Sequence, residues 1–403
     1  MSPLAYLSLP GAGILIFLGL FSLAPALPGV RQHFQAVANA DVLTQVVGAA
    51  AAFTFALGCL FSSRAIDRLG YRSVYLISLL LLGVVGPTAA LLDDLYAIIL
   101  TRGVVGLGCA GIVNASLVGI NRLLSGKGQT RALGLQGLIG SCAAIGLFPA
   151  IGALSGISWR LAFAGHLIAI LFIPLVLMLP PSRPASENAE DKVVLRAALK
   201  YVGPLTGSAA IFGGMVVFTI AMFAPLFLVQ LGVTNAQLLS IPPTATVVGS
   251  AIGSWLFVPL SNRLRSSYAF ALTLVVEGAG LVGIALSHSV WGVGASSLLA
   301  GIGSGLLAPL LYSSAIKASP GSPASALGLV NALLYGAMIL FPLVAIPFAQ
   351  LVGGQRPMLI ALVTCGQLLA VLFVLSHRAR RERMERVEAL AAEPVDVRRA
   401  TPL

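Results

Sequence analysis

Apolar runs about as long as a bilayer's hydrocarbon core is thick recur from one end of this 403-residue chain to the other. A helix rises about 1.5 Å per residue, so roughly 20 apolar residues cross about 30 Å of lipid. About twelve such runs can be read. They lie at 4–28, 42–63, 73–92, 96–120, 132–156 and 160–181 in the first half. The second half gives 203–230, 237–260, 268–288, 290–314, 325–350 and 356–376. Only 9% of the residues are charged against 58% hydrophobic, whereas a water-soluble domain carries about 25% charged residues. The expected fold is therefore an all-α membrane protein. Ala24-Pro25-Ala26 imitates a signal-peptidase site. No Lys or Arg precedes the first run, however, and the run is longer than a signal core, so it is read as a membrane helix.

The net charge of +11 invites a nucleic-acid reading until the basic residues are placed on this topology. Twenty Lys and Arg fall on one side, including Arg64, Arg68, Arg72, Arg122, Arg131, Arg263 and Lys317, while only Arg31, Arg160 and Arg356 fall on the other. Arg102 stands apart, inside a run. The positive-inside rule then puts both termini and the central loop in the cytoplasm, with the plasma membrane, a bacterial inner membrane, as the expected location.

Two halves emerge. The apolar pattern breaks at 182–200, where Pro180, Pro181 and Pro184 introduce or enter a mixed-charge stretch. This divides the chain into bundles of six helices at 1–181 and 201–376, a linker at 182–200 and a basic tail at 377–403. Features recur across the break. Asp67-Arg68 returns as Asn262-Arg263, Gly106 and Gly108 as Gly301 and Gly303, Ala132-Leu133-Gly134-Leu135 as Ala326-Leu327-Gly328-Leu329, and Phe148-Pro149 as Phe341-Pro342. The offsets are all 193 to 195 residues, as an internal duplication requires. Repeated halves that each cross the bilayer are the build of a carrier.

On these residues the chain resembles the major facilitator superfamily, and its drug:proton antiporters in particular. The family signature between helices 2 and 3, G-x-x-x-D-R-x-G-R-[KR], is matched by Asp67, Arg68, Gly70 and Arg72. Ser63 replaces its first Gly and Tyr71 a basic residue. The helix 4 pattern is matched by Arg102, Gly106 and Gly108. The helix 5 pattern Gly-Pro-x-x-Gly is matched in Pro149 and Gly152, with Phe148 in place of its first Gly. The resemblance implies two six-helix bundles related by a pseudo-twofold axis, which rock about a central cavity.

A rocking pair of bundles needs a latch that breaks and reforms. The resemblance implies that Asp67 points at the N-terminus of helix 11, where Ser322-Pro323 is a plausible cap and first turn. Arg122 is a second partner. Such a carboxylate-to-helix contact is worth about 0.3 to 2 kcal/mol.

Arg102 lies inside an apolar helix, where it costs at least about 2.5 to 3.5 kcal/mol unless it faces protein or water. It is either a proton-coupling or substrate-charge residue, as the resemblance implies, or an interfacial group snorkelling behind Asp93 and Asp94. Glu277 is the other ionisable group deep in a span. A carboxyl that binds and releases a proton suits a proton-coupled carrier, but by resemblance helix 9 stands outside the cavity, so Glu277 faces either the cavity or lipid. His166 and His288 are read as interfacial, and Asp41 as a helix cap.

The resemblance puts helices 1, 4, 7 and 10 around the cavity, helped by 2, 5, 8 and 11. Their polar residues Asn114, Gln136, Thr219, Ser304, Tyr312, Asn331 and Tyr335 are candidates for substrate contact by hydrogen bonding, with Gln136 and Asn331 the first choice; others will serve as glue between helices. Gly106, Gly108, Gly152 and the prolines Pro149, Pro309 and Pro342 are read as packing and bending positions. The cysteines sit singly and suggest neither a metal site nor disulfides. Gly106, Gly108 and Gly111 match G-x-G-x-x-G without a preceding strand and are not a nucleotide site. No cofactor, metal or enzymatic chemistry is expected.

The expected function is a monomeric secondary carrier that exports a small, largely apolar organic compound in exchange for protons. Two alternatives stand beside it: proton-coupled uptake of a small organic anion, with Arg102 as its counter-ion, and a non-transporting sensor or lipid-handling protein on the same fold.

Overall fold

The computed structural model describes residues 3–21, 23–181, 193–233, 236–319, 323–352 and 354–392. These are almost wholly helical, with no strand among them. The first half comprises α1 (Leu4–Leu20), α2 (Ala40–Leu69), α3 (Tyr71–Leu91), α4 (Leu95–Leu123), α5 (Gly126–Ile157) and α6 (Trp159–Leu177). The second comprises α7 (Val193–Gln230), α8 (Ile241–Arg263), α9 (Ser266–Leu286), α10 (Val290–Ala318), α11 (Pro323–Leu351) and α12 (Gln355–Ala392). Ten are long and apolar enough to cross a membrane, and the apolar cores of α1 and α7 are shorter.

Several boundaries differ from those read in sequence. The first span stops at Leu20 rather than at 28; a 3-10 turn at Ala24–Ala26 and a separate short helix, Leu27–His33, follow. Helix α7 starts at Val193, inside the stretch read as linker, and is broken at Gly203, whose φ of 70° suits glycine. Linker residues 182–192 lie outside the described residues. Helix α12 runs on through Ala392, so the described part of the basic tail continues the last membrane helix.

The packing repeats. Helix α1 packs on α5 as α7 packs on α11, α2 on α4 as α8 on α10, and α3 on α4 as α9 on α10. Across the halves, α2 meets α11 and α5 meets α8. A shift of six helices exchanges these two cross-pairs, which is what a twofold relation between two bundles demands.

The repeated glycines show why the duplication survives at those positions. Gly106 lies on the carbonyl of Ala51 and leaves no room for a Cβ, and Gly301 lies in the same way on Thr246, 195 residues further on. A Cβ on Gly108 would come to 3.1 Å from the carbonyl oxygen of Ser78, and one on Gly303 to 3.1 Å from that of Thr273. Each pair lets the fourth helix of its bundle press on the second and third, as small residues do in lipid, where van der Waals contact drives association.

Candidate functional site

The described contacts between the halves lie from the middle of the helices to the end nearest Arg64, Arg122, Arg131, Arg263 and Lys317, the basic end of the molecule. There the ring of Phe55 on α2 meets that of Tyr335 on α11 edge-on at 4.5 Å, and Gly328 leaves no room for a Cβ against the Cys59 carbonyl. On the other cross-pair, Ser141 of α5 donates to Ser250 of α8 at 3.3 Å. Further from the basic end, an added Cβ on Gly146 of α5 or Gly336 of α11 meets nothing within 4 Å.

A hydrogen-bonded chain runs through the closed contact. Asn114 of α4 donates to the Cys59 carbonyl at 2.9 Å and to Ser62 Oγ at 2.7 Å, both on α2. Asn331 of α11 donates to Asn114 Oδ1 at 3.0 Å, and Tyr312 of α10 donates to Asn331 Oδ1 at 2.8 Å. Both asparagines are fully buried. Gln136 of α5 donates to Ser116 of α4 at 3.1 Å, while its Oε1 has no partner among the described residues. In this conformation Asn331, Asn114 and Tyr312, among the residues expected at the substrate, bond one another, and Gln136 joins helices within its own bundle. Thr219 is likewise buried and donates to its own helix at Met215. Sequence position showed these groups to be polar and embedded; their partners depend on how each helix is rotated.

Arg102 sits two turns into α4 and is 1% exposed. It donates to the Gly19 carbonyl on α1 at 2.6 Å and approaches His166 Nε2 on α6 at 3.3 Å. A guanidinium only donates, so Nε2 accepts; the ring proton is then on Nδ1, which donates to the Phe163 carbonyl at 2.9 Å. The Nε of Arg102 has no partner, and among the described residues no carboxylate pairs with it. Arg102 is therefore not an interfacial group snorkelling behind Asp93 and Asp94, and His166, 1% exposed, is not interfacial either. Glycines permit the cluster: Gly19 gives way to Cys109 and Gly86 to the imidazole, and neither has room for a Cβ.

Glu277 of α9 is fully buried and faces α10, not lipid: Ser304 Oγ donates to its Oε1 at 2.9 Å. Its Oε2 has no partner among the described residues.

Around the α2–α3 turn, Gly70 has a φ of 81° that suits glycine. Arg72 donates to the Leu177 carbonyl at 2.7 Å, and Tyr71, the departure from the family pattern, to that of Pro180 at 3.1 Å. Both thus hold the C-terminal end of α6, a role the sequence did not reveal. Asp67 is half-buried and in electrostatic contact with Arg122; Arg68 is exposed. The expected cap at Ser322 lies outside the described residues. Pro149 and Gly152 lie in α5, Pro309 in α10 and Pro342 in α11, all within continuous helix.

Two further features escaped sequence reading. At the end remote from the basic loops, Asp93 binds Arg160 at 2.5 Å and His33 at 3.4 Å, and Arg160 stacks 4.5 Å above the Trp159 ring. An apolar groove of about 580 Å³ runs between α2 and α4, lined by Val46, Phe53, Leu100 and Leu107 with Ile339 of α11. None of the residues expected at the substrate or in proton coupling lines it.

A family profile described as Major Facilitator Superfamily matches residues 11–249. The chain is 25% identical over 348 residues to the 3-(3-hydroxy-phenyl)propionate transporter of Escherichia coli strain K12, covering 80% of this chain and 82% of that protein. Among solved structures, it is similar to the proton:xylose symporter XylE, with a TM-score of 0.77 at 14% identity over 93% of this chain and 95% of the other. It is also similar to the human organic anion transporter MFSD10, with a TM-score of 0.72 at 18% identity over 93% of this chain and all of the other.

Proposed function

The chain belongs to the major facilitator superfamily and is a multi-pass membrane transporter of small molecules rather than an enzyme, and we propose that it takes up a small aromatic carboxylate together with protons. The observation that carries this reading is Arg102: a buried guanidinium whose Nε is unpartnered and which no described carboxylate neutralises. At an effective dielectric constant of about 20, a unit charge attracts an anion 8 Å away by roughly 2 kcal/mol. Arg102 thus favours an anionic substrate without touching it. The relation to a hydroxyphenylpropionate transporter supports the same choice, with the aromatic ring held by apolar and uncharged polar surface.

By the positive-inside rule the basic end is cytoplasmic, as are both termini, and the molecule faces outward, closed below and open above. The bundles at 1–181 and 201–376 rock as units about the α2–α11 and α5–α8 contacts, with Asp67, beside Arg122 of its own bundle, as a charged latch toward the N-terminal end of α11 at the cytoplasmic rim. The protein acts as a monomer in the plasma membrane.

Export of a largely apolar compound in exchange for protons is the second reading, favoured by the uncharged groups along the contact. Proteoliposomes separate the two. The first reading expects labelled 3-(3-hydroxyphenyl)propionate to accumulate under an inward proton gradient, and Arg102→Gln to abolish it. Wild-type liposomes that fail to accumulate this acid and other arylpropionates, yet expel an apolar dye under the same gradient, would overturn it.

A further inference from the structure

We infer that Glu277 carries the coupling proton and is loaded through the hydroxyl of Ser304, an assignment that rests on the reading of the protein as a proton-coupled carrier. The chain has 13 acidic residues, and among the described ones Glu277 alone is a fully buried carboxyl. Asp41 and Asp67 lie near the ends of α2, Asp93 and Asp94 between α3 and α4. Of the imidazoles, His166 alone is buried among the described residues. Its two nitrogens are already engaged, Nδ1 with the Phe163 carbonyl and Nε2 with the Arg102 guanidinium. A second ring proton there would have to displace a cation.

Glu277 has what His166 lacks, an oxygen in reserve. Its Oε1 accepts from Ser304, while Oε2 is enclosed and unpartnered among the described residues. Gly303 of α10 has no room for a Cβ beside the Glu277 side chain, so the carboxyl is clamped between α9 and α10. Its described polar partner is uncharged, Ser304 of α10, and the nearby polar residues are uncharged too: Thr273 lies one turn earlier on α9, and Gln367 of α12 packs on the neighbouring Gly278 and donates to the Leu274 carbonyl at 3.3 Å. No described Lys, Arg or His contacts it. In so enclosed a place the cation that can be taken up is a proton.

Ser304 supplies the route, because it is only half-buried whereas the carboxyl is sealed. A proton delivered by water to Ser304 Oγ moves the hydroxyl proton on to Glu277 Oε1. The net change is one proton gained by the carboxyl and none by the serine. Charge and proton are thereby handled in different bundles, Arg102 in the first and Glu277 in the second.

The test needs two readouts. Infrared difference spectra of substrate-free protein between acidic and alkaline buffer are expected to show a protonated-carboxyl stretch that is lost in Glu277→Gln and kept in Glu277→Asp. In proteoliposomes with 3-(3-hydroxyphenyl)propionate, Glu277→Gln is expected to lose gradient-driven accumulation while retaining exchange at equal pH. A carboxyl band unchanged in Glu277→Gln, or unimpaired accumulation, overturns the inference. If the Gln variant does not fold, Ser304→Ala carries the test: accumulation that falls more than exchange at equal pH supports the route, and equal loss of both overturns it. A wild-type protein that moves no arylpropionate yet shows the band, lost on substitution, supports the proton site and overturns the substrate reading alone.

Discussion

The side-chain amide of Asn331 donates to Oδ1 of Asn114 at 3.0 Å, across 217 residues of sequence and between the two bundles. Both side chains are sealed from solvent. The bond can hold only while the basic end is closed, since separating α11 from α4 must break it. The bonds described across the two bundles are made by uncharged amides and hydroxyls.

Replacing Asn331 with Ala removes the donor to Asn114 Oδ1 and the acceptor of the Tyr312 hydroxyl. A buried polar group left unpaired costs about 1 to 3 kcal/mol, and opening the basic end to water relieves that cost. Asn331→Ala is expected to populate conformations open at that end. In a background where the exposed Cys142 and Cys365 are serine, maleimide labelling of Cys59 should rise while Cys109 stays protected. Equal protection of Cys59 in parent and variant would show that the bond does not bias the equilibrium.

Asp67→Asn is expected to preserve expression, slow transport and shift the protein toward inward-open forms. Asn262 stands at the repeat-equivalent position, so Asn262→Ala should do less. Transport rates and cysteine accessibility on both faces decide it, and an unchanged Asp67→Asn protein would remove the charged latch from the mechanism.

Arg102→Lys keeps the charge but loses the planar fork, so one ammonium must replace bonds to Gly19 and His166 made from two nitrogens. The expected result is a lowered maximal rate with anion selectivity retained, whereas Arg102→Gln loses the anion. Identical behaviour of the two variants in competition assays with charged and neutral arylpropionates would contradict a role for the charge.

Gly106→Ala and Gly301→Ala are both expected to lower the melting temperature in detergent, because each Cβ would press on a backbone carbonyl of the neighbouring helix. Gly146→Ala meets open space and should stabilise α5 by up to about 1 kcal/mol. A melting temperature that falls equally in all three would mean that close helix contact is not what the repeated glycines serve.

Much of the architecture was written in the chain. Apolar runs fix how many helices can cross a bilayer, because lipid offers the backbone no other partner. The paired glycines at an offset of 195 announced the two bundles, and they now lie on equivalent carbonyls. The sequence likewise marked Arg102 and Glu277, since an ionisable side chain in hydrocarbon is costly wherever it points. It could not say that Arg102 binds Gly19 and His166, that Glu277 turns to Ser304, or that Asn114 and Asn331 meet. Composition decides whether a helix lies in the membrane. The face it presents depends on its rotation and crossing angle, which are set by the packing of neighbours far away in the chain, and so only the folded structure assigned each buried polar group its partner.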